Sequence, residues 1–261
     1  MLNWDEVPKP RQRIRQAPRR RPAVQQSITL LAIAVLVASG AAPAPASLPV
    51  SSPGRPAADP PSFAEVQLST GIRLRYAVQG DPEGRPVILL HGVTDSWFSW
   101  SRILPLLPSA WRVYALDQRG LGGTSAPGSG YGLPALADDV VAFLDAKGIE
   151  RATVIGHSMG SLVAQHVAAG APERVSRLVL VDAAIAGFFA PDARADLARI
   201  SAPTLLLWGK RDAVFSRGDQ EALLAGIAGS HLITYPETGH APHWERPDQV
   251  ARDLQAFLAG R

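Results

Sequence analysis

From about residue 63 onward, short unbroken apolar runs rich in Val, Ile and Leu alternate with longer stretches whose apolar positions recur every three or four residues. An unbroken apolar run of about four to eight residues marks a strand buried on both faces, and the three-to-four spacing marks a helix with one apolar face. On this pattern a hairpin is predicted at 65–68 and 73–78 around Thr70-Gly71. Further strands are predicted at 87–90, 112–116, 152–155, 175–181, 204–208 and 232–235. Helices are predicted at 97–107, 133–147, 161–169, 218–227 and 248–259, with a short one near 193–199. Regular alternation of strand and helix without an internal repeat implies one α/β domain, a mostly parallel sheet with helices on both faces.

Within that pattern, Gly156-His157-Ser158-Met159-Gly160 follows the apolar strand at 152–155 and precedes the helix at 161–169. A serine between two near glycines, in a strand-turn-helix context, reads as a nucleophile elbow, with Ser158 exposed on a sharp turn. A serine hydroxyl attacks poorly until a base takes its proton, so a histidine and an orienting acid are required from elsewhere. Two later strands lead into such residues: 204–208 into Gly209-Lys210-Arg211-Asp212, and 232–235 into Pro236-Glu237-Thr238-Gly239-His240. The chain order Ser158, Asp212, His240 is the order of the hydrolase form of the catalytic triad.

With Leu89-Leu90-His91-Gly92-Val93, the turn 116–125 (Leu-Asp-Gln-Arg-Gly-Leu-Gly-Gly-Thr-Ser) and Gly239-His240 followed by Glu245-Arg246-Pro247, these segments resemble the α/β-hydrolase fold family over roughly residues 63–259. That family includes esterases, lactonases, cofactor-free haloperoxidases and C–C bond hydrolases. The resemblance implies an oxyanion hole built from the backbone N–H groups of Met159 and Val93, with Thr94 as the alternative second donor, and it implies no cofactor. His91 is read as a brace for its loop rather than a chemical group. In the resemblance the acid normally follows the later strand, which favours Asp212 over Asp182, the residue after the strand 175–181.

The other histidines are read as structural: His157 as a pocket-lining or structural side chain, His243 as a packing or surface group, His166 and His231 as parts of a helix and a strand. No cysteine and no HxxxH or HxH cluster is present, so no metal is expected. Many relatives carry a long helical cap after the strand that ends near Asp182, whereas only residues 183–203 fill that gap here. The cap is therefore expected to be minimal and the mouth open to water and to bulky substrates. Trp97, Phe98 and Trp100, and Phe188 and Phe189 in the short cap segment, are candidate pocket walls, with ordinary helix packing the alternative for the first three and exposed remains of a lost cap interface the alternative for Phe188 and Phe189.

Lys9, Arg11, Arg13, Arg15, Arg19, Arg20 and Arg21 precede an apolar run at 28–38 and then small residues, the arrangement of an export signal. Residues 1–46 are read as a signal peptide, cut after Ala46, with a membrane anchor at 28–42 as the alternative; 47–62 as a disordered linker; and 63–261 as the catalytic domain. An exported protein, periplasmic or extracellular, is expected. Without residues 1–46 the formal charge changes from +3 to −2, since seven basic and two acidic side chains leave with them. The basic pI thus belongs to the N-terminal segment, and no nucleic-acid partner is implied. Membrane attachment is expected only through an uncleaved N-terminal segment.

The reading is a serine hydrolase that cleaves a carboxylic ester, lactone or thioester, from a small or polymeric substrate, through an acyl-serine intermediate. The alternatives are cofactor-free perhydrolysis or C–C bond hydrolysis on the same three residues, and a non-catalytic binding protein of the same fold.

Overall fold

The computed structural model describes residues 60–185 and 196–260. Eight strands form one sheet: β1 (Ser62–Gln67), β2 (Arg73–Gln79), β3 (Arg85–Leu90), β4 (Trp111–Leu116), β5 (Ala152–His157), β6 (Val175–Val181), β7 (Thr204–Gly209) and β8 (His231–Tyr235). Their spatial order is β1-β2-β4-β3-β5-β6-β7-β8. The pairs β1/β2 and β2/β4 are antiparallel and every later pair is parallel. Helices α1 (Leu133–Ala146), α2 (Met159–Gly170), α3 (Arg217–Gly226), α4 (Pro242–Glu245) and α5 (Pro247–Leu258) connect or follow the strands.

The unbroken apolar runs become the central strands because a parallel strand covered on both faces has no solvent side to keep polar. Period-two alternation then divides their side chains between two cores. Ile88, Leu90, Val154, Leu178, Leu180 and Leu206 pack on one face with Val140 and Phe143 of α1, Val163 and Val167 of α2, and Leu223 of α3. Val87, Leu89, Ile155, Val179, Val181, Leu205 and Leu207 pack on the other face with Trp100, Ile103 and Leu104, and with Val250, Leu254 and Leu258 of α5.

Two expectations need correction. The stretch 97–107 is not an α-helix but two 3-10 turns, Trp97–Trp100 and Leu104–Leu106. Pro105 supplies no N–H, and its ring obstructs the carbonyl four residues back, so an α-helix cannot run through Ser101. Ser62, assigned above to the linker, already belongs to β1, opposite Val78, and its hydroxyl donates to the Val78 carbonyl at 3.3 Å. The predicted helix at 193–199 falls partly outside the described residues; there 196–197 are helical and lead into a turn. The short helix α4 carried no signal strong enough to predict.

The order of strands locates the site. From β3 the chain builds outward through β4, then crosses back to lay β5 on the other side of β3 and continues outward through β6, β7 and β8. The carboxyl ends of β3 and β5 therefore flank a switch point, where an open α/β sheet forms its natural crevice. His91-Gly92 follows β3 and Ser158 follows β5, so both open onto that crevice. No helix among the described residues is long and apolar enough to cross a membrane.

Candidate active site

Ser158 occupies the single-residue turn between β5 and α2 with φ 50° and ψ −118°, a conformation that non-glycine residues avoid. Such strain costs on the order of 1–3 kcal/mol and persists only where the surroundings hold it. Here they do: the Ser158 N–H donates to the Val181 carbonyl at 3.1 Å, and its own carbonyl accepts from the Ser161 hydroxyl at 2.6 Å and the Ser161 N–H at 2.9 Å. Two glycines make the turn sterically feasible. A Cβ on Gly156 would collide with the backbone of Gly160 and Ser161, and one on Gly160 with the carbonyls of Leu90 and His91.

His240, on the loop after β8, places Nε2 2.9 Å from Ser158 Oγ and Nδ1 2.9 Å from Asp212 Oδ2. Asp212 stands on the loop after β7, where its other oxygen accepts the N–H groups of Val214 (2.7 Å) and Phe215 (3.1 Å). Those two donors fix the plane of the carboxylate. A carboxylate only accepts, so the His240 proton sits on Nδ1 and Nε2 is left with a lone pair toward the serine hydroxyl. The Asp212 side chain is fully shielded from solvent, whereas His240 is 27% exposed. The Phe215 ring stands edge-on to His240 with centroids 5.4 Å apart. Such an arrangement can move a proton from hydroxyl to imidazole while the carboxylate stabilises the imidazolium that forms.

Met159 is the first residue of α2, where the helix itself offers its N–H no acceptor. Val93 is half-buried and begins the turn that Thr94 completes at φ 61°. His91 is wholly buried beneath this turn. Its Nδ1–H donates to the Gly92 carbonyl at 2.7 Å, its Nε2 accepts the Gln118 N–H at 3.0 Å, and the Gln118 amide donates to the His91 carbonyl at 2.6 Å. Burial pushes the imidazole below its usual range and keeps it neutral, as those two bonds require.

Three further titratable groups, His157, His243 and Asp182, cluster near His240. His157 and His243 are buried, with ring centroids 4.5 Å apart; His157 lies 5.0 Å from His240, and His243 stacks on Trp100 at 4.4 Å. His157 Nε2 is 2.6 Å from the His240 carbonyl. Burial, reinforced by His240, pushes His157 down to about 3, and burial also drives His243 well below the usual histidine range. Asp182 follows β6 at φ 42°. Its Oδ1 accepts the Gly209 N–H at 2.9 Å, and its buried Oδ2 has no partner. Burial, then the charge of Asp212, pushes this carboxyl up to about 9. One ligating atom from each of His157, Asp182 and His240 lies within 4.8 Å of the others. Both His240 nitrogens are engaged by Asp212 and Ser158, and His157 Nε2 by a carbonyl, which leaves His157 Nδ1 and Asp182 Oδ2 as the free atoms of the set, two donors where a protein-held metal such as zinc takes about three or four.

Trp97 is half-buried against Phe63 (centroids 4.8 Å) and Phe98 (5.8 Å), and Phe98, 54% exposed, lies 5.7 Å from Trp244. Trp97 and Phe98 thus belong to one aromatic row on the surface, whereas Trp100 is buried in the core against His243 and lines no pocket among the described residues. Phe188 and Phe189 lie outside the described residues, as do residues 1–59, which hold the segment expected to direct export and nearly all of the expected linker. Two cavities among the described residues, about 150 and 380 Å³, include none of Ser158, Asp212 and His240 in their walls. Sequence reasoning passed over Phe215 and the contacts of His157. The turn 116–125 is legible in the sequence, but not that Asp117 within it accepts the N–H of Trp97 (2.7 Å) and of Gly123 (2.9 Å), together with the Arg75 guanidinium (3.0 Å).

An eight-stranded, mostly parallel sheet with a strained serine at the switch point defines an α/β-hydrolase fold. Comparison with known proteins agrees: one family, described as alpha/beta hydrolase fold, matches residues 85–199, and a second, the alpha/beta hydrolase family, matches residues 183–253. The chain belongs to the α/β-hydrolase family. It is 35% identical over 117 residues to the AB hydrolase superfamily protein YfhM of Bacillus subtilis, covering 44% of this chain and 41% of that protein. It is 41% identical over 122 residues to epoxide hydrolase B of Mycobacterium tuberculosis, covering 45% of this chain and 34% of that protein. These matches span less than half the length of either relative. The crystal structure of a bacterial membrane phospholipase A superposes with a TM-score of 0.71 at 26% identity, covering 77% of this chain and 86% of that one.

Proposed function

We propose that this protein is a serine hydrolase that cleaves a carboxylic ester, lactone or thioester through an acyl-Ser158 intermediate. The observation that carries the reading is the continuous pair of hydrogen bonds from Ser158 Oγ to His240 Nε2 and from His240 Nδ1 to Asp212 Oδ2, both 2.9 Å, ending on a serine in a strained turn. Ser158 Oγ attacks the acyl carbon as His240 Nε2 takes its proton. The N–H groups of Met159 and Val93 receive the negative charge on the carbonyl oxygen, each such donor contributing about 3–4 kcal/mol of transition-state stabilisation. Protonated His240 then gives its proton to the leaving alkoxide or thiolate. Water enters, His240 takes its proton, and the acyl group departs as a carboxylic acid while Ser158 recovers its hydrogen.

Several relatives are epoxide hydrolases, and the residue at position 158 argues against covalent epoxide opening in this chain. Alkylation of a serine would leave an ether, which water does not cleave under mild conditions. Acylation leaves an ester, which the same histidine can hydrolyse. A bulky ester, such as the lipid of a phospholipase, is compatible with a chain in which β6 and β7 are joined by so short a segment. Trp97 and Phe98 are then the described candidates for contact with an apolar acyl group. We also propose export directed by residues 1–46, resting on their basic-then-apolar sequence.

The reading is tested by fluorophosphonate labelling of residues 47–261, followed by intact mass, beside Ser158→Ala and His240→Ala. One adduct on the parent, lost in both variants, is the expected result. A folded parent that takes no label would overturn the proposal and favour the non-catalytic binding protein.

A further inference from the structure

His240 comes from the far side of the sheet. Between β5, which ends beside Ser158, and β8, which leads to His240, lie β6 and β7, a lateral separation of roughly 14 Å at the usual strand spacing. The base loop is tied locally: the Lys210 N–H donates to the Tyr235 carbonyl at 3.0 Å, the Arg211 N–H to the Thr238 carbonyl at 2.9 Å, and the Gly239 N–H to the Glu245 carboxylate at 3.1 Å. These bonds join it to the loop after β7 and to itself. Two hydrogen bonds reach back to the elbow, Ser158 Oγ to His240 Nε2 and His157 Nε2 to the His240 carbonyl.

The first of these cannot hold the loop throughout a reaction, because its proton transfers and its oxygen becomes acylated. The second involves neither reacting atom. We propose that His157 is a positioning residue: its Nε2–H anchors the His240 backbone to the elbow, so that the base keeps its distance from Oγ when the Ser158–His240 bond is broken. This rests on the serine-hydrolase reading. A carbonyl only accepts, so the His157 proton must be on Nε2 and its Nδ1 left bare, and that buried Nδ1 has no partner. The same ring touches the oxyanion loop. A Cβ built on Gly92 would stand 3.2 Å from His157 Nδ1 and 3.4 Å from Ser158 Cβ. One imidazole therefore abuts the oxyanion loop, the nucleophile and the base loop.

His157 faces His240, His243 and Asp182, with Asp212 and His91 beyond them, and its neutrality follows mainly from burial. Three substitutions separate donor from volume. Gln places its amide nitrogen near the position of Nε2, Asn places its own near Nδ1, and Phe keeps the ring without a donor. Misplacement of a catalytic group by about 1 Å can reduce a rate on the order of 100-fold. The expected result is a fall of about 10- to 100-fold in kcat and in phosphonylation rate for His157→Phe and His157→Asn, with KM nearly unchanged, and substantial recovery in His157→Gln.

Equal rates in the parent and all three variants would overturn the proposal. So would equal losses in Gln and Asn, since a merely space-filling role does not distinguish the position of the amide. Nitrogen-15 NMR of the histidines in Ser158→Ala gives a readout that needs no turnover. His157 is expected as the Nε2–H tautomer from pH 5 to 8, and an Nδ1–H tautomer or a titration in that range would overturn the proposal. A parent that takes no fluorophosphonate while its His157 shows the Nε2–H tautomer would instead count against the serine-hydrolase reading alone.

Discussion

The loops after β4, β6 and β7 each carry an aspartate, Asp117, Asp182 and Asp212, and the three carboxyls stand in different electrical surroundings. Asp117 receives two backbone N–H groups and the Arg75 guanidinium, and it ties the turn containing Gly123 to the start of the Trp97 segment. Asp212 receives two backbone N–H groups on one oxygen and the His240 imidazole on the other. Asp182, 0% exposed, receives one N–H on one oxygen and nothing on the other, and it retains its proton to about pH 9. The same side chain at equivalent strand ends is thus a tie between two segments, a partner for a base, or, at Asp182, where burial leaves one oxygen without a donor, a neutral acid.

The largest test of that comparison is Asp212→Asn. Loss of the carboxylate leaves His240 without its tautomer-setting partner, and a fall on the order of 10⁴ in kcat is expected. An activity close to that of the parent in an ester assay would mean that another acid, Asp182 foremost, supports His240. Asp117→Ala comes next, with a loss of about 3 kcal/mol in unfolding free energy by urea denaturation, because it strands two backbone N–H groups and a half-buried guanidinium. A loss below about 1 kcal/mol would show that water replaces the carboxylate there.

The dependence of stability on pH sharpens the contrast further. A carboxyl held at about 9 in the native state keeps a proton that the unfolded chain gives up above 3.8, so its contribution falls as pH rises between those values, by about 1.4 kcal/mol per pH unit. The buried histidines have the opposite sign. His91, His157 and His243 remain neutral while the unfolded chain takes up protons below 6.5, so stability falls as pH drops below 6.5, for His157 down to about 3. Below 6.5 three imidazoles outweigh one carboxyl, and above it the carboxyl acts alone among these four groups. Stability measured by urea denaturation should therefore peak near pH 6.5, and Asp182→Asn should flatten the limb between pH 7 and 9. An unchanged limb in that variant would show Asp182 to be ionised in the native state. The smallest effect is on catalysis: at pH 7, Asp182→Asn should change kcat by about fivefold or less, because an amide replaces a group that is already neutral. A much larger loss in the folded variant would place Asp182 among the working acids.

Local pattern carried much of the architecture. Strands β3, β5, β6 and β7 were legible because a strand buried on both faces must be apolar throughout, and α1, α2, α3 and α5 because their apolar positions recur at helical spacing. The elbow was legible because a sharp turn without room for side chains needs glycine in the positions flanking the serine. Where local signals competed, the reading failed: 97–107 has the apolar content of a helix, but Pro105 prevents one. Phe215 and the aromatic row from Phe63 to Trp244 bring together residues far apart in the chain, so no periodicity announces them.

By itself the sequence determined the kind of sheet, its covering helices, and the presence of one serine, two strand-end aspartates and one strand-end histidine that could serve an active site. Only the tertiary structure decided that Asp212 meets His240 while Asp182 stays protonated and half-satisfied, and that His157 reaches the base loop across two intervening strands. The division follows from range. Strand, helix and turn preferences act between residues a few positions apart, whereas hydrogen-bond partners and solvent exclusion depend on groups brought together by the order of strands in the sheet.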